Sequence, residues 1–279
     1  MPRHIACLSF DFDAWSALVA RGLTSPTPIS RGEFGANVGV PRILRLMRKH
    51  AIEATFFVPG VVIESYPDRC REIHDAGHEI GNHGYTHVSP VDLSPEQEEI
   101  DLLKTSELIL KLTGRKPRGY RSAAFDLSPA TAGLLLKHGF EYDSSMMADD
   151  HSPYKVRLGD KVDPKGPMTF GKESALIEMP VSWSLDDFLH FEFLRTSTHL
   201  MPGLMSAEGV LKNWTNDFRY MVETEEWGVL SFVFHPLVIG RGHRMIFLEK
   251  LIIALKEMGA IFMKIEDAAA EFKKRPVRR

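Results

Sequence analysis

The sequence predicts an α/β fold, a parallel sheet with helices packed outside it. Three observations carry this. Helix, stop and short apolar strand recur along the chain, the alternation that builds parallel sheets. Apolar runs such as Val229-Leu230-Ser231-Phe232-Val233-Phe234 suit strands buried on both faces. Ionisable residues fall just after the strands, at Asp11, Asp13, His83, His87, Arg121, Asp143 and His235.

Strands are expected at 5–10, 54–58, 78–81, 119–121, 140–142, 176–181, 229–234 and 260–264. Helices are expected at 39–49, 67–76, 95–112, 129–137, 207–224, 244–258 and 265–273. Gly77, Gly139 and Gly259 mark helix ends, because glycine takes the left-handed conformation without penalty. Ser94-Pro95-Glu96-Gln97 offers an N-cap, a first-turn proline and a capping-box glutamine. Ser128-Pro129 opens a helix in the same manner. Such units close into a barrel or spread into an open doubly wound sheet. The first strand ends in Asp11-Phe12-Asp13-Ala14 rather than a glycine-rich phosphate loop, which counts against a nucleotide-binding sheet. The stretch 149–174 is rich in Pro, Gly, Asp and Lys and reads as a surface excursion, functional or mobile. With no linker or repeat in view, residues 1–279 are expected to form a single domain.

Composition narrows the class. Of 279 residues, 44% are hydrophobic and 25% charged, which excludes a disordered chain, a collagen-like rod and a disulfide-stapled miniprotein. With 34 Lys and Arg against 37 Asp and Glu the net charge is −3. Nothing global draws the chain to nucleic acid or to an anionic membrane. Cys7 and Cys70 form neither a disulfide framework nor a metal-type spacing. The start lacks the apolar stretch of about 7–15 residues of a secretory signal. No run approaches the ~20 apolar residues of a membrane span. A cytoplasmic protein, assembling as a homo-oligomer, is the expectation. The tail 273–279 carries five basic residues in seven and reads as solvated and frayed.

The residues after the strands converge on one rim, since the carboxyl ends of a parallel α/β barrel share a face and build its active site. Asp11 and Asp13 are two apart, so an extended strand turns both to one side. Two acids ending a buried strand are costly unless paired or metal-bound. His83-Gly84-Tyr85-Thr86-His87 spaces two imidazoles at i and i+4, and one helical turn would set both toward one metal. Asp13 completes a His-His-Asp set that leaves a position for water, as in catalytic zinc sites. His235 suits a general acid, Asp143 could orient it, and Arg121 could steady the Asp11 carboxylate. Taken singly, each has a plainer reading as a cap, a core histidine or a surface arginine.

The set Ser9-Phe10-Asp11-Phe12-Asp13, Asn82-His83-Gly84-Tyr85-Thr86-His87, Tyr120-Arg121-Ser122, Asp143-Ser144-Ser145 and Phe234-His235-Pro236 resembles the motifs of the polysaccharide deacetylases, which carry the NodB-homology domain. The five segments occur in family order from Ser9 to Pro236. The resemblance implies a distorted, incomplete (β/α) barrel of about seven strands. It implies Asp11 as general base, Asp13, His83 and His87 as metal ligands, and His235 as general acid. It further implies Arg121 steadying Asp11 and Asp143 tuning His235. There are departures from the family pattern. Phe12 separates the two aspartates, Ala123 replaces the proline after Arg121, and no tryptophan follows Asp143. These departures, with the segments 179–187 and 235–241, look like the cytosolic branch, similar to cyclic imide hydrolases and allantoinases.

The resemblance therefore implies hydrolysis of a non-peptide carbon–nitrogen bond with one divalent metal ion, zinc, as cofactor. A small cyclic imide or amide is the expected substrate, with Trp183, Phe125 and Phe12 flooring a small apolar pocket. The excursion 149–174 and the segment around Trp183 could close over the barrel mouth. N-deacetylation of an N-acetylated sugar or peptidoglycan-type glycan is the alternative. A metal-dead barrel that binds a carbohydrate or metabolite is a third reading, disfavoured by the complete ligand set.

Overall fold

The computed structural model describes residues 2–196 and 200–275. Its first third runs β1 (Arg3–Asp11), α1 (Ser16–Ala20), α2 (Pro26–Phe34), a π-helical turn Gly35–Gly39, α3 (Val40–His50), β2 (Thr55–Val58), α4 (Gly60–Ser65), α5 (Pro67–Asp75) and β3 (Glu79–Asn82). There follow α6 (Pro95–Thr113), β4 (Gly119–Tyr120), α7 (Thr131–Lys137), β5 (Tyr142–Asp143), β6 (Tyr154–Leu158) and β7 (Lys172–Glu178). Next come α8 (Asp187–Phe191), β8 (Leu194–Arg195), β9 (Leu200–Met201), α9 (Ala207–Thr224) and β10 (Trp227–Phe234). The chain closes with α10 (Pro236–Ile239), α11 (Gly242–Glu257), β11 (Ile261–Phe262) and α12 (Ile265–Lys273). Residues 276–279 of the basic tail lie outside the described residues.

The sheet order is β10-β1-β2-β3-β4-β5-β7-β6, parallel except for β6. β11 joins β1 at Ile5 and Ala6, leaving the far end of β1 to β2. One bridge, Asp186 to Val233, spans the gap on the far side of β10. The sheet therefore curls into the expected distorted, incomplete barrel.

β1 shows why the chemistry lands where it does. Ala6, Leu8, Phe10 and Phe12 belong to the core beneath the outer helices. Ile5 and Cys7 belong instead to an inner cluster with Phe57, Tyr142, Ile177 and Val229, drawn from strands all round the barrel. A period of two puts Ser9 and Asp11 on that same inner face. The inner cluster is closed at its amino end by Ile265, Ala268 and Ala269 of α12, so the barrel is open to a ligand only toward the carboxyl ends.

Most helix signals hold, but α7 starts at Thr131 with Ala130 at its N-cap rather than at Ser128-Pro129, and the Gln97 side chain donates to Asp101 instead of closing a capping box. The Ser94 hydroxyl accepts from the Gln97 N–H, and Gly77, Gly139 and Gly259 all have positive φ. Gly39 and Gly240 meet where the turn before α3 crosses α10. A Cβ on Gly39 would come 2.2 Å from the Pro236 carbonyl oxygen, so no larger residue fits.

The excursion differs from expectation. Residues 154–178 contain an antiparallel pair, with Tyr154 opposite Glu178 and Leu158 opposite Lys172. Its tip lies before Lys172, at the amino end of the barrel, and so projects away from the catalytic rim. It is not a lid. Among the described residues no helix is long and apolar enough to cross a membrane.

Candidate active site

Asp11 ends β1, and Asp13 follows in a tight turn where Ala14 has a positive φ of 47°. His83 follows β3 directly. The segment to His87 is an irregular loop, not the expected helical turn, with φ of 68° at Gly84 and 63° at His87. Asn82 accepts from the Gly84 N–H, and the Gly84 carbonyl accepts from Gly60 N–H and the Thr105 hydroxyl. This pinned loop still delivers both imidazoles to one point, their ring centroids 5.0 Å apart.

The Asp13 carboxylate lies 3.4 Å from His83 Nε2 and 3.3 Å from His87 Nε2. One ligand atom from each residue lies within 4.8 Å of the others. Both Asp13 oxygens are buried and have no hydrogen-bond partner. A buried carboxylate left so is expensive, and a cation held by the three side chains would remove the cost. The donor set therefore fits a divalent metal. Burial alone would raise the Asp13 carboxyl, but the His87 and His83 imidazoles outweigh it and hold it well below the usual range. Burial pushes His87 down, with the charges of His83 and Arg21 adding to it. The His83 Nδ1 sits 2.7 Å from the Arg121 carbonyl, which orients Nε2 toward Asp13.

Arg121 is fully buried, and its NH1 donates to Asp11 Oδ1 at 2.8 Å and to the Ser9 hydroxyl at 2.8 Å. Its remaining nitrogens donate to the Ser144 carbonyl and hydroxyl, and its guanidinium lies over the Phe57 ring. Asp11 is thereby fixed, with its second oxygen 3.9 Å from His83 Nε2.

On the other side of Asp13, His235 Nε2 stands 3.8 Å from Oδ2. Its Nδ1 lies 2.8 Å from Asp187 Oδ1, which also accepts from the His235 backbone N–H at 3.0 Å. Burial disfavours the imidazolium, but the Asp186 charge and the Asp187 hydrogen bond overcome it and raise His235 to about 10. Asp186 is itself raised to about 7, chiefly by burial. Asp11, Asp13, His83, His87, Asp186 and His235 floor a cavity of about 430 Å³, walled by Phe125, Trp183, Phe188, Leu189, Leu194 and Met201.

A family model described as polysaccharide deacetylase matches residues 32–142. The chain is 38% identical over 269 residues to a Helicobacter pylori protein named peptidoglycan deacetylase, covering 92% of each. It belongs to the polysaccharide deacetylase family. A peptidoglycan deacetylase-like protein of Gibberella zeae is 32% identical, over 95% of this chain and 85% of its own. The solved structure of a Mycobacterium smegmatis protein assigned to the polysaccharide deacetylases superposes with a TM-score of 0.86 at 28% identity, covering 100% of this chain and 94% of its own. The solved Puue allantoinase shares the fold, with a TM-score of 0.79 at 21% identity over 99% of this chain and 93% of its own.

Within this member of the family, two expectations fail. Asp143 does not tune His235. Its Oδ1 accepts from the Ser145 hydroxyl, while Glu178 beside it accepts from the Ser145 and Met146 N–H groups. Burial raises both carboxyls, Asp143 to about 6. The pair braces the backbone from which Ser144 grips Arg121. The histidine's partner is Asp187, 48 residues away in sequence. Phe12 does not floor the pocket either. Lying between Asp11 and Asp13, it takes the opposite face of the chain and is wholly buried against the helices. Phe125 and Trp183 do line the cavity.

Proposed function

We propose that the chain is a metal-dependent hydrolase of non-peptide carbon–nitrogen bonds that acts on a small cyclic imide or amide. Asp13, His83 and His87 would hold the ion, zinc in this reading. When bound, it supplies a Lewis acid for the substrate carbonyl and an acidified water. Asp11, aligned by Arg121, takes the proton of the attacking water as general base. His235 gives its Nε2 proton to the departing nitrogen, without which an amine leaves poorly. Asp187 keeps the His235 Nδ1–H directed and its positive form favoured. Phe125 and Trp183 bound the substrate's apolar faces.

The observation that carries the substrate reading is the cavity, about 430 Å³ and walled largely by apolar side chains. It suits a compact ring better than a polymer lying in an open groove. An imide nitrogen also leaves as a resonance-stabilised anion, which lightens the task of His235. The name of the Helicobacter pylori relative favours the second reading, N-deacetylation of an N-acetylated glycan. A homo-oligomer fits the exposed apolar residues Val162 and Phe170 on the 154–178 segment.

The test is a turnover screen of the zinc-loaded protein on succinimide, hydantoin and allantoin beside N-acetylglucosamine oligomers. Ring opening with weak or no deacetylation supports the proposal. Efficient deacetylation with all three rings ignored overturns it in favour of the glycan.

A further inference from the structure

Arg21 caps α1, the helix that follows Asp13, and its side chain lines the same cavity as Asp13, His87 and His235. Among the described residues it is the one arginine or lysine that does so. Its NH1 donates to the Ala17 carbonyl at 2.7 Å, and its guanidinium carbon lies 5.5 Å from the Phe188 ring centroid. Both contacts hold the group in place without neutralising it. Among the described residues no carboxylate pairs with Arg21, although Arg31, Arg115, Arg118, Arg121 and Arg157 all have one. Four of its five N–H groups remain for other acceptors.

The walls around it offer no such acceptor. Phe188, Leu189, Leu194 and Met201 are apolar, and the acids of the cavity floor are taken. Asp11 pairs with Arg121, Asp186 accepts from the Phe188 N–H and faces His235, and Asp13 faces the two histidines. Arg21 is exposed at the edge of the cavity, and a guanidinium held there beside apolar side chains with no carboxylate partner matches a planar anion that arrives with the ligand.

We propose that Arg21 is a specificity-determining residue that binds a carboxylate of the substrate, away from the bond being cleaved. The inference rests on the hydrolase reading above and adds to it a substrate class, amides or imides bearing a free carboxylate. No new bond is made or broken. The carboxylate stays ionised and only orients the ring.

The test compares matched substrates on wild type, Arg21→Gln and Arg21→Lys, all zinc-loaded. One pair is hydantoin and hydantoin-5-acetic acid; the other is N-acetylglucosamine and N-acetylmuramic acid. Wild type should prefer the acid in whichever pair it turns over. Arg21→Gln should cut the ratio of the two kcat/KM values roughly tenfold or more, the worth of a charge-assisted hydrogen bond. The loss should fall in KM rather than kcat, and Arg21→Lys should recover part of it. An unchanged ratio in Arg21→Gln overturns the role of Arg21 while leaving the hydrolase reading standing. If neither pair is turned over, the hydrolase reading rests on the wider screen of succinimide, hydantoin and allantoin above. Calorimetry then decides Arg21 by itself. Hydantoin-5-acetic acid binding wild type more tightly than Arg21→Gln, with hydantoin showing no such difference, upholds the assignment. Equal binding overturns it.

Discussion

His235 Nδ1 and Asp187 Oδ1 are 2.8 Å apart, both buried, and the same oxygen accepts from the histidine's own backbone N–H. One carboxylate therefore fixes the ring and the strand end that carries it. In Asp187→Asn the oxygen contact can persist, but the negative charge that favours the imidazolium is gone. Wild-type His235, raised to about 10, keeps its proton well above neutral pH. The variant should lose it earlier, so the basic limb of the kcat profile moves down toward the ordinary imidazole range. Turnover above neutral pH should fall roughly tenfold or more. Asp143→Asn should leave that limb in place. A pH–rate series on the two variants checks this, and a limb that moves with Asp143 instead would refute the assignment.

Removal of metal should cost stability as well as activity. Both Asp13 oxygens are buried without hydrogen-bond partners, so an ion bound there favours the native state. Saturation to about 100 times Kd would add about 2.7 kcal/mol. Chelation is expected to lower Tm by an amount that re-addition restores. His83→Ala and Asp13→Ala should show neither bound metal nor that dependence. Full metal content in either variant, by elemental analysis, would sink the ligand set.

Asp11→Asn separates base from ligand. Asp11 is bonded to Arg121 and stands 3.9 Å from His83 at its nearer oxygen, whereas Asp13 faces both histidines. The variant should keep its metal and lose roughly two or more orders of magnitude in turnover. Wild-type rates would mean that another group activates the water.

Glu79 gives a pH dependence far from the reacting groups. It is buried at the amino end of the barrel, bonded to Thr55, Tyr142 and the Glu266 N–H. Burial, with the Glu266 charge, raises it to about 7 from the ordinary 4.5. The folded state thus holds this proton more tightly than the unfolded one. Its contribution is complete below pH 4.5 and is lost as pH rises through about 7. Glu79→Gln, though less stable for want of one acceptor, should flatten this part of the stability–pH curve by up to about 3 kcal/mol. Denaturant melts across that range would show parallel curves if Glu79 did not titrate there.

The residues read most easily from sequence were those whose position follows from strand periodicity. Asp11, Asp13, His83, Arg121 and His235 all stand at carboxyl ends of parallel strands, and the barrel brings them together. The i, i+4 histidines converged as expected through a different backbone, because Gly84 and a left-handed His87 replace the helical turn. Asp187 was not legible as a partner. It follows a short 3-10 turn in a stretch without strand–helix rhythm, and its contact spans 48 residues. A signal was present in the doublet Asp186-Asp187. One member caps α8 by accepting from the Phe188 N–H, which leaves the other free for a different task. The hairpin 154–178 was hidden because Pro, Gly and charged residues mask its alternation, and its pairing partner lies in the strand that follows it.

The glycine contact between Gly39 and α10 bears on which lesions would silence the protein. A side chain at position 39 must displace Pro236, the residue joined to His235, because the nearest atom in its way is rigid backbone. Gly39 itself lines no part of the cavity. A screen of random variants for lost turnover should therefore return Gly39 beside the acids and histidines, although it meets no reactant. Proximity to the chemistry would be a poor guide to which codons tolerate change.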